Sequence, residues 1–104
     1  MANNYLLVYH GGAMPETQEE QARVMQQWTD WFGVLGDRLV DGGNPVSQAK
    51  SIAAGGSVSD TANAPTGYSI IKADDLSGAA AMAKGCPILS SGGSIEVYET
   101  LEVM

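Results

Sequence analysis

The sequence predicts an α+β domain in which one antiparallel sheet carries two helices on a single face. Three observations lead there. The chain opens on a short strand apolar on both sides, its longest periodic stretch has helical spacing, and it closes on a strand of alternating type. Its 104 residues give room for one core and one domain.

The opening strand is Tyr5-Leu6-Leu7-Val8-Tyr9-His10, stopped by Gly11-Gly12. A loop through Ala13, Met14 and Pro15 follows. Thr17 with Glu20 three residues later has the capping-box spacing that starts a helix, and Glu16, Glu19 and Glu20 suit the positive end of its dipole. Val24, Trp28, Phe32 and Leu35 then recur at helical intervals, with Met25 and Trp31 widening the stripe, until Gly36 ends it. Trp28 is thereby expected in the core.

Arg38–Asp41 reads as a second strand, halted by Gly42-Gly43-Asn44-Pro45. Gln48 to Val58, broken by Gly55-Gly56, predicts a hairpin of two short strands, and Ser59 to Pro65 has the composition of a loop. Tyr68–Lys72 is a strand centred on Ile70-Ile71. Asp74 and Asp75 offer an N-cap to an alanine-rich helix over Leu76–Lys84, which Gly85-Cys86-Pro87 terminates. Ser94–Val103 is the last strand. The order is βαββαβ with an inserted hairpin, a ferredoxin-like arrangement.

Composition narrows the function. Hydrophobic residues make up 44% and charged residues 16%, as in ordinary globular chains. A formal charge of −7 disfavours nucleic acid, which calls for a basic stripe, and equally an anionic membrane surface. No apolar run nears the roughly 18 residues of a membrane span, and none has the form of a signal peptide. One cysteine, Cys86, allows no internal disulfide. With a single histidine beside it, a transition-metal site within one subunit is not expected, nor is a bound cofactor. The cytoplasm is the expected compartment.

Two helices cover one face of such a sheet. Strand alternation offers Leu6, Val8, Ile71, Ile95 and Val97 as the covered set. Tyr5, Leu7, Tyr9, Tyr68, Ile70, Glu96 and Tyr98 would then share the open face, bringing all four tyrosines together. Tyrosine joins a large apolar ring to a polar tip, a mix favoured at interfaces and partly wet pockets. The simplest cover for an apolar face of that size is the same face of a second copy. Tyrosines at strand-favoured positions on a solvated face are the plainer alternative.

Asn4-Tyr5-Leu6-Leu7-Val8-Tyr9, Leu39-Val40-Asp41-Gly42-Gly43, Gly67-Tyr68 leading to Ala73-Asp74-Asp75-Leu76, Gly85-Cys86-Pro87 and Ser94-Ile95-Glu96-Val97-Tyr98 occur in an order that resembles the YCII-related (DGPF-domain) family. The resemblance implies a dimeric α/β-barrel protein with a site beside the sheet. Some such proteins carry a first-helix histidine paired with an aspartate in an acid/base role. Trp28 stands at the position that corresponds, and Val58-Ser59-Asp60 runs on into Thr61-Ala62-Asn63 where the DGPF signature would be.

The residues able to carry chemistry are few. His10 is the one histidine and a candidate acid or base, and Asp41 would orient it if their strands were neighbours, although a turn cap explains Asp41 as well. Glu96, mid-strand among tyrosines, is a candidate proton carrier or a cross-strand partner for Lys72. On strand parity His10 and Glu96 face opposite ways. Cys86 reads as inert packing and the Asp74-Asp75 pair as helix capping. The expectation is a homodimer binding a small, partly apolar molecule among Tyr5, Tyr9, Tyr68 and Tyr98. The alternatives are a cofactor-free isomerase or lyase using Glu96 or His10, and a structural partner of another protein.

Overall fold

The structure, a computed structural model, describes residues 2–12 and 15–102. It contains β1 (Asn3–His10), α1 (Gln18–Leu35), β2 (Leu39–Asp41), β3 (Lys50–Ile52), β4 (Val58–Asp60), β5 (Gly67–Ala73), α2 (Leu76–Ala83) and β6 (Ser94–Glu99). Short 3₁₀ turns at Gly36–Arg38 and Pro87–Leu89 follow the helices. Ala13, Met14 and Val103, which the sequence assigned to a loop and to the last strand, lie outside the described residues. β6 itself ends at Glu99.

Four strands form one sheet in the order β2-β5-β1-β6, antiparallel throughout, while β3 and β4 pair separately as a hairpin. The chain is thus α+β, in an order compatible with the ferredoxin-like arrangement. A single chain forms an open sheet and not a closed barrel.

The helix signals act as the sequence implies. Thr17 Oγ1 accepts from the Glu20 N–H at 3.1 Å, while the Glu20 carboxylate accepts from the Glu16 N–H, one residue ahead of the usual capping-box partner. At α2, Asp75 accepts from the Gly78 N–H at 2.7 Å, so Asp75 and not Asp74 is the cap. The hairpin runs two residues further than its glycine turn suggests, because β4 uses Val58, Ser59 and Asp60.

Both helices lie on the face formed by Tyr5, Leu7, Tyr9, Ser69, Ile71 and Ala73, where Trp31, Leu35, Ala79, Ala83 and Cys86 complete the core. Trp28 is partly buried, edge-on to Tyr9 with ring centroids 5.3 Å apart, and Phe32 packs beside it. Trp31 is the more deeply buried ring, and Met25 is 70% exposed, so the true stripe is narrower than the sequence implied.

The face assignment of β1 is corrected. Register pairs Tyr5 with Ile71 and Glu99, Leu7 with Ser69 and Val97, and Tyr9 with Gly67 and Ile95. Directly paired residues share a face, so Tyr5, Leu7 and Tyr9 lie under the helices while Leu6 and Val8 face outward. The buried phenols find acceptors, Tyr9 inside and Tyr5 at the rim. Tyr9 Oη donates to Ser69 Oγ at 2.8 Å, which in turn donates to the Gly42 carbonyl, and Tyr5 Oη donates to Glu99 at 3.2 Å. Once its hydroxyl is satisfied, a tyrosine is a large core residue.

Gly43 makes the turn after β2 possible. Its φ is +74°, and a Cβ there would fall 1.7 Å from the Tyr68 carbonyl oxygen. Without a side chain there, the turn after β2 can lie directly against β5.

Candidate functional site

The uncovered face carries Leu6, Val8 and His10 from β1, Tyr68 and Ile70 from β5, and Glu96 and Tyr98 from β6. β1 runs through the middle. Leu6 lies between Ile70 and Tyr98, and Val8 between Tyr68 and Glu96. Leu6, Val8, Tyr68 and Ile70 are half-buried by one another, and Tyr98 is 47% exposed. Two of the four tyrosines are therefore on this face, and Tyr5 and Tyr9 are not available to a ligand there.

His10 and Glu96, expected on opposite faces, are partners. His10 Nε2 donates to Glu96 Oε1 at 2.6 Å. β6 runs antiparallel beside β1, so the end of one strand meets the start of the other. Val8 is directly opposite Glu96 and His10 directly opposite Ser94, which makes the two side chains diagonal neighbours on one face. The imidazole is 13% exposed and the carboxylate 51%. His10 Nδ1 is buried without a partner among the described residues.

The backbone around the pair is tight. A Cβ on Gly93 would lie 2.5 Å from an Ile88 side-chain carbon and 2.7 Å from the His10 carbonyl oxygen. Glycine at 93 thus lets the turn into β6 close against the end of β1.

The hydrogen bond from His10 holds the Glu96 carboxyl below its ordinary value, and the neighbouring Tyr98 phenol acts in the same direction. That carboxylate in turn raises the Tyr98 phenol. Glu96 is therefore an anion at neutral pH, held by the His10 imidazole, with half its surface open. A group whose folded pKa is depressed stabilises the fold above its unfolded value, near 4.5, and loses that contribution as pH falls through the lower folded value. The stability difference between the wild type and Glu96→Gln should accordingly shrink below about pH 4.5, measured by denaturant unfolding across an acid series. A constant difference down to the acid limit would show that the His10 contact does not hold in solution.

Asp41 does not orient His10. β5 and β1 place it at the far edge of the sheet, where Oδ1 accepts from the Gly43 N–H at 2.8 Å as a turn cap. Lys72 is opposite Asn4 and is likewise separated from β6 by β1. Cys86 is buried and its thiol is pushed up to about 11 by burial, which leaves no thiolate for chemistry at neutral pH.

Two concavities lie elsewhere. One of about 260 Å³ sits between the start of α1 and the Pro87–Leu89 turn, beside Arg23 and Ser91. Another of about 530 Å³ is near Asn4, Glu99 and Leu101. Neither includes His10 or Glu96. No cluster of three potential metal-ligating side chains occurs among the described residues, and no helix there is long and apolar enough to cross a membrane.

An open four-stranded platform with an anionic carboxylate–imidazole pair at one end of an apolar, tyrosine-bearing face is the class of site this fold defines. The chain matches no known family model and no curated protein sequence.

Proposed function

We propose that the chain is a cytoplasmic homodimer of the YCII-related, dimeric α/β-barrel kind, whose two open sheet faces enclose a small, partly apolar molecule. The observation that carries this reading is the composition of the uncovered face. Leu6, Val8, Ile70, Tyr68 and Tyr98 form the apolar part, and the Glu96 carboxylate supplies one strong acceptor at its end. A ligand with an apolar body and a hydroxyl, amide or amine donor fits that division.

The depressed Glu96 carboxyl favours binding over catalysis, because a general base works best with a pKa near the operating pH. The 2.6 Å link to His10 favours a second reading, cofactor-free proton transfer of the isomerase or lyase type, in which the pair shares a proton taken from a bound substrate.

One experiment addresses both. A panel of uncharged phenols, amides and alcohols is titrated while methyl and aromatic resonances are followed by NMR. Shifts at Leu6, Val8, Ile70, Tyr68 and Tyr98 are expected, with roughly tenfold weaker binding of donor-bearing probes to Glu96→Gln, the scale of a hydrogen bond to a charged group. Shifts confined to the concavity beside Arg23 would overturn the binding reading. Exchange of α-protons of small ketones into deuterated water tests the second. Catalysed exchange that falls ~100-fold in Glu96→Gln supports it, and exchange indifferent to that substitution removes it.

A further inference from the structure

Among the described residues, the hairpin β3–β4 is an arm that stands off the helices and the main sheet. Its strands pair with each other, and neither packs substantially against a helix or the main sheet. Lys50 with Asp60 at 2.6 Å and Ser51 with Thr61 at 2.8 Å hold it internally. Ile52 and Val58, directly opposite one another, are 72% and 63% exposed. An isolated two-stranded hairpin is marginal in water, and a paired Ile and Val displayed on one is an apolar contact without a partner. The radius of gyration, 15.2 Å, exceeds the roughly 13 Å of a compact chain this long, as an outlying arm would make it.

Resting on the dimer reading above, we infer that this arm is a clasp, its Ile52–Val58 side seated on a second copy of the same chain. Three features select that occupant. The first is charge. Between Asn44 and Thr66 the only charged residues are Lys50 and Asp60, which pair, so the whole formal charge of −7 lies outside the arm. A neutral arm can approach an acidic copy without the repulsion that body-to-body contact meets.

The second is area. Eight residues of β1 at about 3.3 Å each and four strands about 4.8 Å apart give a flat footprint of about 500 Å². β2 fills only three residues of its edge. Stable interfaces bury roughly 800 Å² per partner, so the sheet face needs a second contact element, and two symmetry-related arms supply it.

The third is the root. The Thr66 N–H donates to the Tyr9 carbonyl and Thr66 Oγ1 to the Gly11 carbonyl, while Pro45 bridges to Gly67. The arm therefore leaves the body at the two residues flanking His10, at the same end of the open face, and is continuous with the surface the second copy would cover.

The test is sedimentation velocity over a concentration series for the wild type and for Ile52→Ser combined with Val58→Ser. Neither position belongs to the binding face. The expected result is a wild-type dimer and a double variant that dissociates at concentrations on the order of 10,000-fold higher, the scale of two aliphatic side chains buried on each of two arms. Equal dissociation of the two proteins would overturn the clasp and leave the dimer standing. A wild type monomeric at every concentration would remove the dimer and the clasp with it. Amide exchange of residues 50–60 in the wild type gives an independent reading that needs no variant. Protection that grows with protein concentration supports the clasp, and protection that ignores concentration overturns it.

Discussion

Trp31→Ala is expected to destabilise the fold by about 3–5 kcal/mol, the usual cost of truncating a core aromatic. Trp31 is 6% exposed and is the ring by which α1 reaches the end of α2. Its Nε1 donates to the Met82 carbonyl at 3.3 Å, and Gly85 passes so close that a Cβ there would lie 3.2 Å from that nitrogen. Truncation opens a cavity beside Trp28 and Phe32 and removes one of two donors to the Met82 carbonyl, which keeps the Gly85 N–H at 3.2 Å. Trp28→Ala should cost less, because that ring is partly exposed. Denaturant melts of the two variants test the order, and a smaller loss for Trp31→Ala would place the core wrongly.

Leu6→Asp is expected to abolish dimerisation while leaving the monomer folded. Leu6 is central on the open face, between Ile70 and Tyr98. In a two-fold assembly the substitution brings two new carboxylates into the same interface beside Glu96. Like charges in an interface cost several kcal/mol, so the dimer should weaken about 1000-fold or more. Sedimentation together with an unchanged tryptophan spectrum checks it. A Leu6→Asp dimer as tight as the wild type would mean that the open face is not the interface.

The long helix was legible because its signals agree. Thr17 and Glu20 cap it, Gly36 stops it, and large apolar residues recur at 3.6-residue spacing between them. The strand order was legible too, since βαββαβ leaves few arrangements. The faces of β1 were not. Leu6 and Val8 are as apolar as Leu7, and Tyr5 and Tyr9 suit a wet face as readily as a core, so alternation gives two consistent solutions. Only contacts distant in sequence decide between them. Tyr9 is drawn inward by Ser69, 60 residues away, and by the edge-on contact with Trp28.

The same ambiguity hid the His10–Glu96 pair. Alternation places β5 and β6 on their true faces and β1 on the inverted one, which sets the two residues apart. One signal was present in the pattern. A ferredoxin-like order puts the last strand antiparallel beside the first, so a residue ending β1 and one near the start of β6 must lie close. Asp41 fails as a partner by the same logic, because that order inserts β5 between its strand and β1.

The central claim is that a second copy closes the open sheet face. Light scattering of the purified protein at micromolar concentration tests it most directly. The account predicts a mass of about twice the 10.8 kDa of one chain. A mass of a single chain that persists on concentration would contradict it, and the enclosed binding face with it.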